Sequence, residues 1–448
     1  NSLISFIMAK FNKKSAAILV MLLALPFVFI GQQRTGNIVE YFGKEKVEGI
    51  HEGKVIHVFN KALALTIPSF GFESSSFPVD PVFDKFLMEP GILVREGEVF
   101  DIDSFGKELK WNTITVDSTN SFSGRELRSG YVYFTYNSGS EKTVLFEASG
   151  HSLASINGYP YEGDHYDFGW NLIPVKLKKG NNIFVLKVGR FPRIRARLLE
   201  PNAEVQFTTR DVTVPDLLLE EDMDYKAAIR VINASDKWIR KYAIVAKVNG
   251  QELTTKINDI PPFTVYKIPF SIPPSTLDTS LVKVDLDLWL IDSNGQQLSH
   301  ETLALNVKSK NKHHKRTFIS AIDKSVQYYS VAPDKNGHTD GAALFLSVHG
   351  ASVEAVNQAN AYKQKDWGNL IAPTNRRPYG FAWEDWGRLD ALEVLADSKR
   401  IFKPDNSKIY LTGHSMGGHG TWYLGATYPD HFAAIAPCAG YPDLLLYR

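Results

Sequence analysis

Residues 408–420 of this 448-residue chain read Lys-Ile-Tyr-Leu-Thr-Gly-His-Ser-Met-Gly-Gly-His-Gly. A short apolar run leads into Gly-x-Ser-x-Gly, and a run of helical character follows. Taken alone, that pentapeptide is only a glycine-rich turn. Between a strand and a helix it is a device for holding a serine hydroxyl out at the end of a sheet. Ser415 is the predicted nucleophile. Gly413 and Gly417 fall where a side chain would collide with the neighbouring strand or the start of the helix. The backbone N–H of Met416 points to where an oxyanion would form, and the helix N-terminus adds a partial positive charge there.

A second motif precedes it in the order such chemistry requires. Residues 342–348 form a continuous apolar run, as a strand buried on both faces of a parallel sheet does. Directly after it come His349, Gly350, Ala351 and Ser352. The loop after such a strand supplies the second oxyanion donor. The Ala351 N–H is the expected donor, with Gly350 as the alternate; the competing reading is a plain strand-end turn. His414 and His419 flank the serine, but one sits within the turn and the other along the helix. Both are read as structural, not as the base.

Residues 372–388 hold three arginines, two tryptophans and two acids next to the expected carboxyl edge of the sheet. Ligands bind at that edge in open α/β sheets. Arg376, Arg377 and Trp383 are the candidate substrate-binding residues. An internal salt-bridge network propping the loop is the equal alternative.

These motifs need a scaffold, and the texture of the chain supplies one. From residue 317 to 448 strands and helices alternate, as a doubly wound, mostly parallel sheet requires: a helix over 385–402, a strand over 408–412, a helix over 416–427 and a strand over 432–437. Upstream the text is β throughout. Residues 70–206 carry short alternating runs separated by turn signals, including an Arg-Ile-Arg-Ala-Arg-Leu alternation at 193–198 that sets its arginines on one face. The order of strands and turns between 155 and 187 resembles the galactose-binding-like jelly rolls attached to many glycosidases. That resemblance implies carbohydrate as a ligand of this first module, with Tyr161, His165, Tyr166 and Trp170 as platform residues; a structural spacer with core aromatics is the competing reading. Residues 208–307 look like an immunoglobulin-like sandwich without its disulfide. The basic run 308–316 reads as a solvated linker. Residues 32–69 give few signals.

Composition narrows the function classes. The formal charge of +1 provides no field for nucleic acid. Cys438 is the single cysteine, so neither an internal disulfide nor a Cys-based zinc site can form. No metal or other cofactor is expected. Near the N-terminus Lys10, Lys13 and Lys14 precede an uncharged, mostly apolar run over 16–30. Residues 8–33 therefore read as a signal peptide, or as an N-terminal anchor if uncleaved. The protein is expected to be exported, periplasmic, extracellular or envelope-anchored, and its lone cysteine fits a bacterial source.

Together, the His-Gly-Ala-Ser loop, the Ala-Pro-Thr-Asn-Arg-Arg-Pro and Trp-Glu-Asp-Trp-Gly-Arg stretches and the serine turn resemble the prolyl-oligopeptidase-like serine peptidases of the α/β-hydrolase superfamily, over residues 340–448. The resemblance implies Ser415 as nucleophile and Met416 as oxyanion donor. Two features depart from it. Two β-modules stand where the best-known members carry a propeller, and the family's acid and base follow the serine in that order. Asp430 and Asp443 come too early for that acid, and no histidine follows His431. The expected fold is therefore two β-sandwich or jelly-roll modules followed by the N-terminal portion of an α/β-hydrolase domain. The triad acid and base are not in this chain, which alone is expected to be inactive. The expected function of the full-length form is a serine-type peptidase on peptides. Its alternatives are an esterase on carbohydrate or small acyl substrates and a non-catalytic secreted binding protein.

Overall fold

A computed structural model describes residues 52–67, 80–103, 105–164, 168–189, 191–221, 224–277, 280–351, 353–376 and 382–442. The N-terminal run over 8–33, His165, Tyr166, Ser352 and Arg377 lie outside the described residues.

Alternating apolar residues build two antiparallel sheets first. Gly53–Val58, Arg193–Pro201, Lys142–Ser149 and Leu172–Leu177 form one. Tyr159–Glu162, His151–Ile156, Gly180–Val188, Gly130–Ser138, Lys61–Thr66 and Asn112–Thr115 form the other. Phe59, Phe134, Phe146 and Phe184 fill the space between them. The segment that gave few sequence signals thus supplies two strands. Each is six residues long and half-exposed, which blunts its pattern. The helix Pro81–Met88, capped by the Asp80 carboxylate on the Phe83 N–H, covers the outer face of the six-stranded sheet together with Trp111.

Arg195 and Arg197 do share a face of Arg193–Pro201, but that face is buried. Ile194, Ala196 and Leu198 enter the core. On the other side Arg197 lies opposite Glu147 in the register and pairs with it. Arg210, from the next module, reaches the same carboxylate at 2.5 Å, and its Nε stands 3.5 Å from Glu52. Leu145 and Leu199 meet Ile232 and Ala234 alongside. The outer face of one module is therefore an interface with the next.

His151 is wholly buried in the first module, edge-on to Phe146. Burial pushes its pKa down to about 3. The unfolded chain takes up this proton near pH 6.5 and the folded chain does not, so stability is present above pH 6.5 and is lost on acidification. The slope is about 1.4 kcal/mol per pH unit. In urea titrations of the first module at pH 7 and pH 5, His151→Phe is expected to flatten the acid-side loss by about that amount per unit. An unchanged slope would show that this imidazole is hydrated or protonated in the fold.

The second module is a sandwich. Val205–Thr213, Lys226–Asn233 and Thr264–Ser271 face a sheet of Leu217–Leu218, Gln297–Lys308, Lys283–Ile291, Ala243–Val248 and Gln251–Lys256. Ile229, Ile244, Leu286 and Leu288 lie in its core.

The basic run is not a solvated linker. Lys308 ends a strand and pairs with Asp216 at 2.8 Å. Arg316 pairs with Glu221 and donates from Nε to His314 Nε2 at 3.0 Å. Accepting that bond leaves His314 Nδ1 to donate to the Lys312 carbonyl at 2.8 Å. The acids that neutralise the run lie far upstream in sequence, so the run alone looks solvent-seeking. Its last residues already belong to the third sheet.

That sheet comprises β1 (His314–Ile319), β2 (Val326–Ala332), β3 (Ala343–Val348), β4 (Gly368–Pro373), β5 (Ile409–His414) and β6 (Ala434–Cys438) in the order β1-β2-β4-β3-β5-β6. The β1–β2 and β2–β4 pairs are antiparallel; the remaining pairs are parallel. Helix α1 (Ala355–Asn360) packs on one face through Ala355 and Ala359. Helices α2 (Asp385–Phe402) and α3 (Met416–Thr427) join a separate core with Leu344, Leu346, Ile371 and Leu411. Val348 stands opposite Gly413 in the register, so the loops after β3 and β5 emerge side by side.

Candidate active site

Chain direction brings the two sequence motifs together. β5 runs into α3 through Ser415, whose φ is 58° and ψ −119°. For a non-glycine residue that backbone costs about 1–3 kcal/mol, and the surroundings hold it in place. Its N–H donates to the Cys438 carbonyl at 2.9 Å and its carbonyl accepts from the His419 N–H at 3.1 Å. The glycines permit the close approach. A Cβ on Gly413 would stand 2.3 Å from the Gly417 oxygen, and one on Gly417 only 2.0 Å from the Val348 oxygen. Two further glycines, whose role the sequence reading did not assign, complete the fit. Gly418 backs onto Gly440, where either Cβ would meet opposing backbone within 2.6 Å. The repeated glycine after Gly417 was the available signal.

The loop after β3 passes over the nucleophile. A Cβ on Gly350 would lie 3.3 Å from the His414 oxygen and 3.7 Å from Ser415 Cβ. The turn is closed by the Val353 N–H on the Gly350 carbonyl at 3.2 Å. Among the described residues the Ala351 amide donates to no protein acceptor. Met416 opens α3, where an amide has no helical acceptor. Gly350 therefore lies against the serine turn, with Ala351 next in its loop and Met416 next in the helix.

The substrate contact expected of Trp383 is corrected, and the Arg376 guanidinium is engaged in an internal network. Trp383 is fully buried. Its Nε1 donates to the His349 carbonyl at 2.9 Å, its ring meets His349 edge-on, and Gly420 of α3 packs against it. It braces the β3 loop against the serine helix. The Arg376 guanidinium lies 2.6 Å from Glu393, 3.4 Å from Asp390 and 3.5 Å from Asp323, and donates to Ser320 at 2.9 Å. Burial raises the Asp390 carboxyl to about 6 despite the opposing arginine. This is the internal network that was the alternative for the loop. It holds a segment in which Asn375, Arg376, Ala382, Trp383 and Asp385 all have positive φ.

His349 and His419 are engaged elsewhere. His349 faces the Gly350 and Thr374 carbonyls, and burial lowers its pKa. His419 faces the Tyr441 carbonyl and Glu384. Among the described residues no imidazole is hydrogen-bonded to Ser415, and no group of His, Cys, Asp and Glu is placed to hold a metal ion.

No family model matches the chain. It is 29% identical over 127 residues to poly(3-hydroxyalkanoate) depolymerase C of Paucimonas lemoignei, covering 24% of this chain and 30% of that protein. It is 28% identical over 117 residues to an uncharacterized secreted protein of Arthroderma benhamiae, covering 23% of this chain and 13% of that protein. The chain thus spans less than a third of either relative. Among solved structures, an S-formylglutathione hydrolase of Staphylococcus aureus matches at 19% identity and a TM-score of 0.26, over 30% of this chain and 61% of that one.

Proposed function

We propose that this chain carries the nucleophile of an exported serine ester hydrolase. The observation that carries the reading is Ser415 in its positive-φ turn against Gly350, with Ala351 following Gly350 in its loop and Met416 opening the helix after the serine. Ser415 Oγ attacks an ester carbonyl and its proton passes to a base. The amides stabilise the tetrahedral oxyanion, the alcohol leaves, and water releases the acid from the acyl-enzyme. Each oxyanion donor contributes about 10²–10³ in rate in comparable sites.

One likeness favours esters over peptide amides: a relative is a poly(3-hydroxyalkanoate) depolymerase, and the units of that polymer are joined by ester bonds. Export is favoured by the secreted relative and by the basic and apolar N-terminal run.

The test is a fluorophosphonate probe together with parallel panels of p-nitrophenyl esters and chromogenic peptides, applied to the full-length protein. Labelling and ester turnover that both disappear in Ser415→Ala are expected. Peptide turnover without ester turnover would replace this reading with the serine peptidase of the sequence resemblance. Absence of labelling would leave a binding protein.

A further inference from the structure

A cavity of about 1030 Å³ is lined by residues other than those of the serine turn. It lies where the three modules meet. Tyr161 and Trp170 come from the first, Arg230 and Lys267 from the second, and Asp323 and Trp386 from the third. Its size is at the upper end of small-molecule sites, about 300–1,000 Å³, and suits an oligomer better than a single acyl group.

The chemistry of the walls narrows the occupant. Most charged side chains of the walls stand in pairs, Arg230 with Glu162 at 3.1 Å, Lys267 with Asp211 at 3.0 Å and Arg376 with Asp323 at 3.5 Å, while the Asp164 carboxylate accepts from the Phe168 and Gly169 N–H groups at 2.8 and 2.6 Å. Such pairs offer directional donors and acceptors while leaving little net charge to select an ion. Between them stand aromatic faces. Trp386 is 37% exposed, Tyr161 is half-buried, and Trp170 is stacked on Phe168 at 4.3 Å. Flat apolar rings among compensated hydrogen-bonding groups match a ligand with apolar C–H faces and many hydroxyls.

The position of the cavity ties it to the serine. Described residues of 374–376 and 382–386 contribute to both places. Trp383 braces the β3 loop and α3 beside Ser415, whereas Arg376 and Trp386 line the cavity, with the guanidinium over the Trp386 ring at 5.8 Å.

We infer that the three-module cavity, through Trp386, Tyr161 and the paired charges at Arg230 and Lys267, binds a neutral glycan chain, so that the substrate is an ester borne on a polysaccharide. The second half of this statement rests on the ester-hydrolase reading; the glycan binding does not.

The experiment separates the two. Full-length Ser415→Ala protein is run by affinity electrophoresis in gels containing soluble xylan, glucomannan or mixed-linkage β-glucan. Retardation by at least one is expected, with an apparent Kd weakened about tenfold or more in Trp386→Ala and in Thr264→Trp, which adds bulk at a second residue of the cavity lining. Melting curves confirm that both variants fold. Without the Ser415 change, Thr264→Trp is expected to keep its turnover of p-nitrophenyl acetate and to lose about tenfold in kcat/KM on acetylated xylan, through KM. No retardation by any of the three glycans, retardation unchanged in both folded variants, or retention by peptides instead overturns the inference. Glycan binding in a protein that hydrolyses no ester leaves the binding site standing and overturns the ester-hydrolase reading.

Discussion

Glu147→Leu is expected to destabilise the first β-module by about 3–5 kcal/mol, the usual consequence of stripping the partner from a buried charge. Glu147 and Arg210 are wholly buried and Arg197 nearly so. One carboxylate serves both guanidinium groups. Leucine fills the space but leaves Arg197 without its cross-strand acid. Arg210 keeps Glu52 at 3.5 Å, itself held by the Thr208 hydroxyl at 2.6 Å. The double variant Glu147→Leu with Arg197→Leu removes both members of the cross-strand pair and should recover more than half of the loss. Urea denaturation of the single and double variants measures this. Equal losses in both would show that the energy resides in Arg210 and the inter-module contact. A loss below 1 kcal/mol would mean that water reaches the pair. With total stabilities of about 5–15 kcal/mol, the single variant approaches unfolding at physiological temperature.

The same arginines show where sequence reading stops. Alternation at 193–198 put them on one face, and the structure agrees, but alternation carries no information about what covers that face. Glu147 belongs to a neighbouring strand and Arg210 to another module. The basic run 308–316 failed for the same reason, since Asp216 and Glu221 neutralise it from a distant part of the chain. Local signals fared better. The limits of α2 and α3 coincide with those expected from periodicity. The serine turn was legible because its constraint is local: a glycine two residues before and two after a residue that must adopt positive φ. Arg376 and Trp383 were visible as unusual residues in an unusual place. Composition could not tell a loop that binds from a loop that is bound. Only the acids at 323, 390 and 393 and the His349 carbonyl decide that.

In the full-length protein, Gly417→Ala is expected to reduce ester turnover by at least about 10²-fold while the fold persists. The added Cβ would stand 2.0 Å from the Val348 oxygen and 2.9 Å from the His349 oxygen. Both are backbone atoms at the end of a central strand, so neither can swing aside as a side-chain tip would. The strain is relieved only by parting the β3 loop from the start of α3. That movement separates Ala351 and Gly350 on one side from Ser415 and Met416 on the other. A displacement of about 1 Å costs about 10²-fold, and loss of an oxyanion donor costs about 10²–10³. Overpacking itself costs about 1–3 kcal/mol, less than a folded protein of ordinary stability can tolerate, so the rate should collapse before the fold does. Gly91→Ala, which meets nothing within 4 Å, is the matched control and should leave rate and stability unchanged. Initial rates on p-nitrophenyl acetate and near-UV circular dichroism separate the two effects. Wild-type turnover in Gly417→Ala would show that the β3 loop takes no part in the reaction, leaving Met416 as the only donor of the pair; lost turnover with native dichroism would place the second donor on that loop.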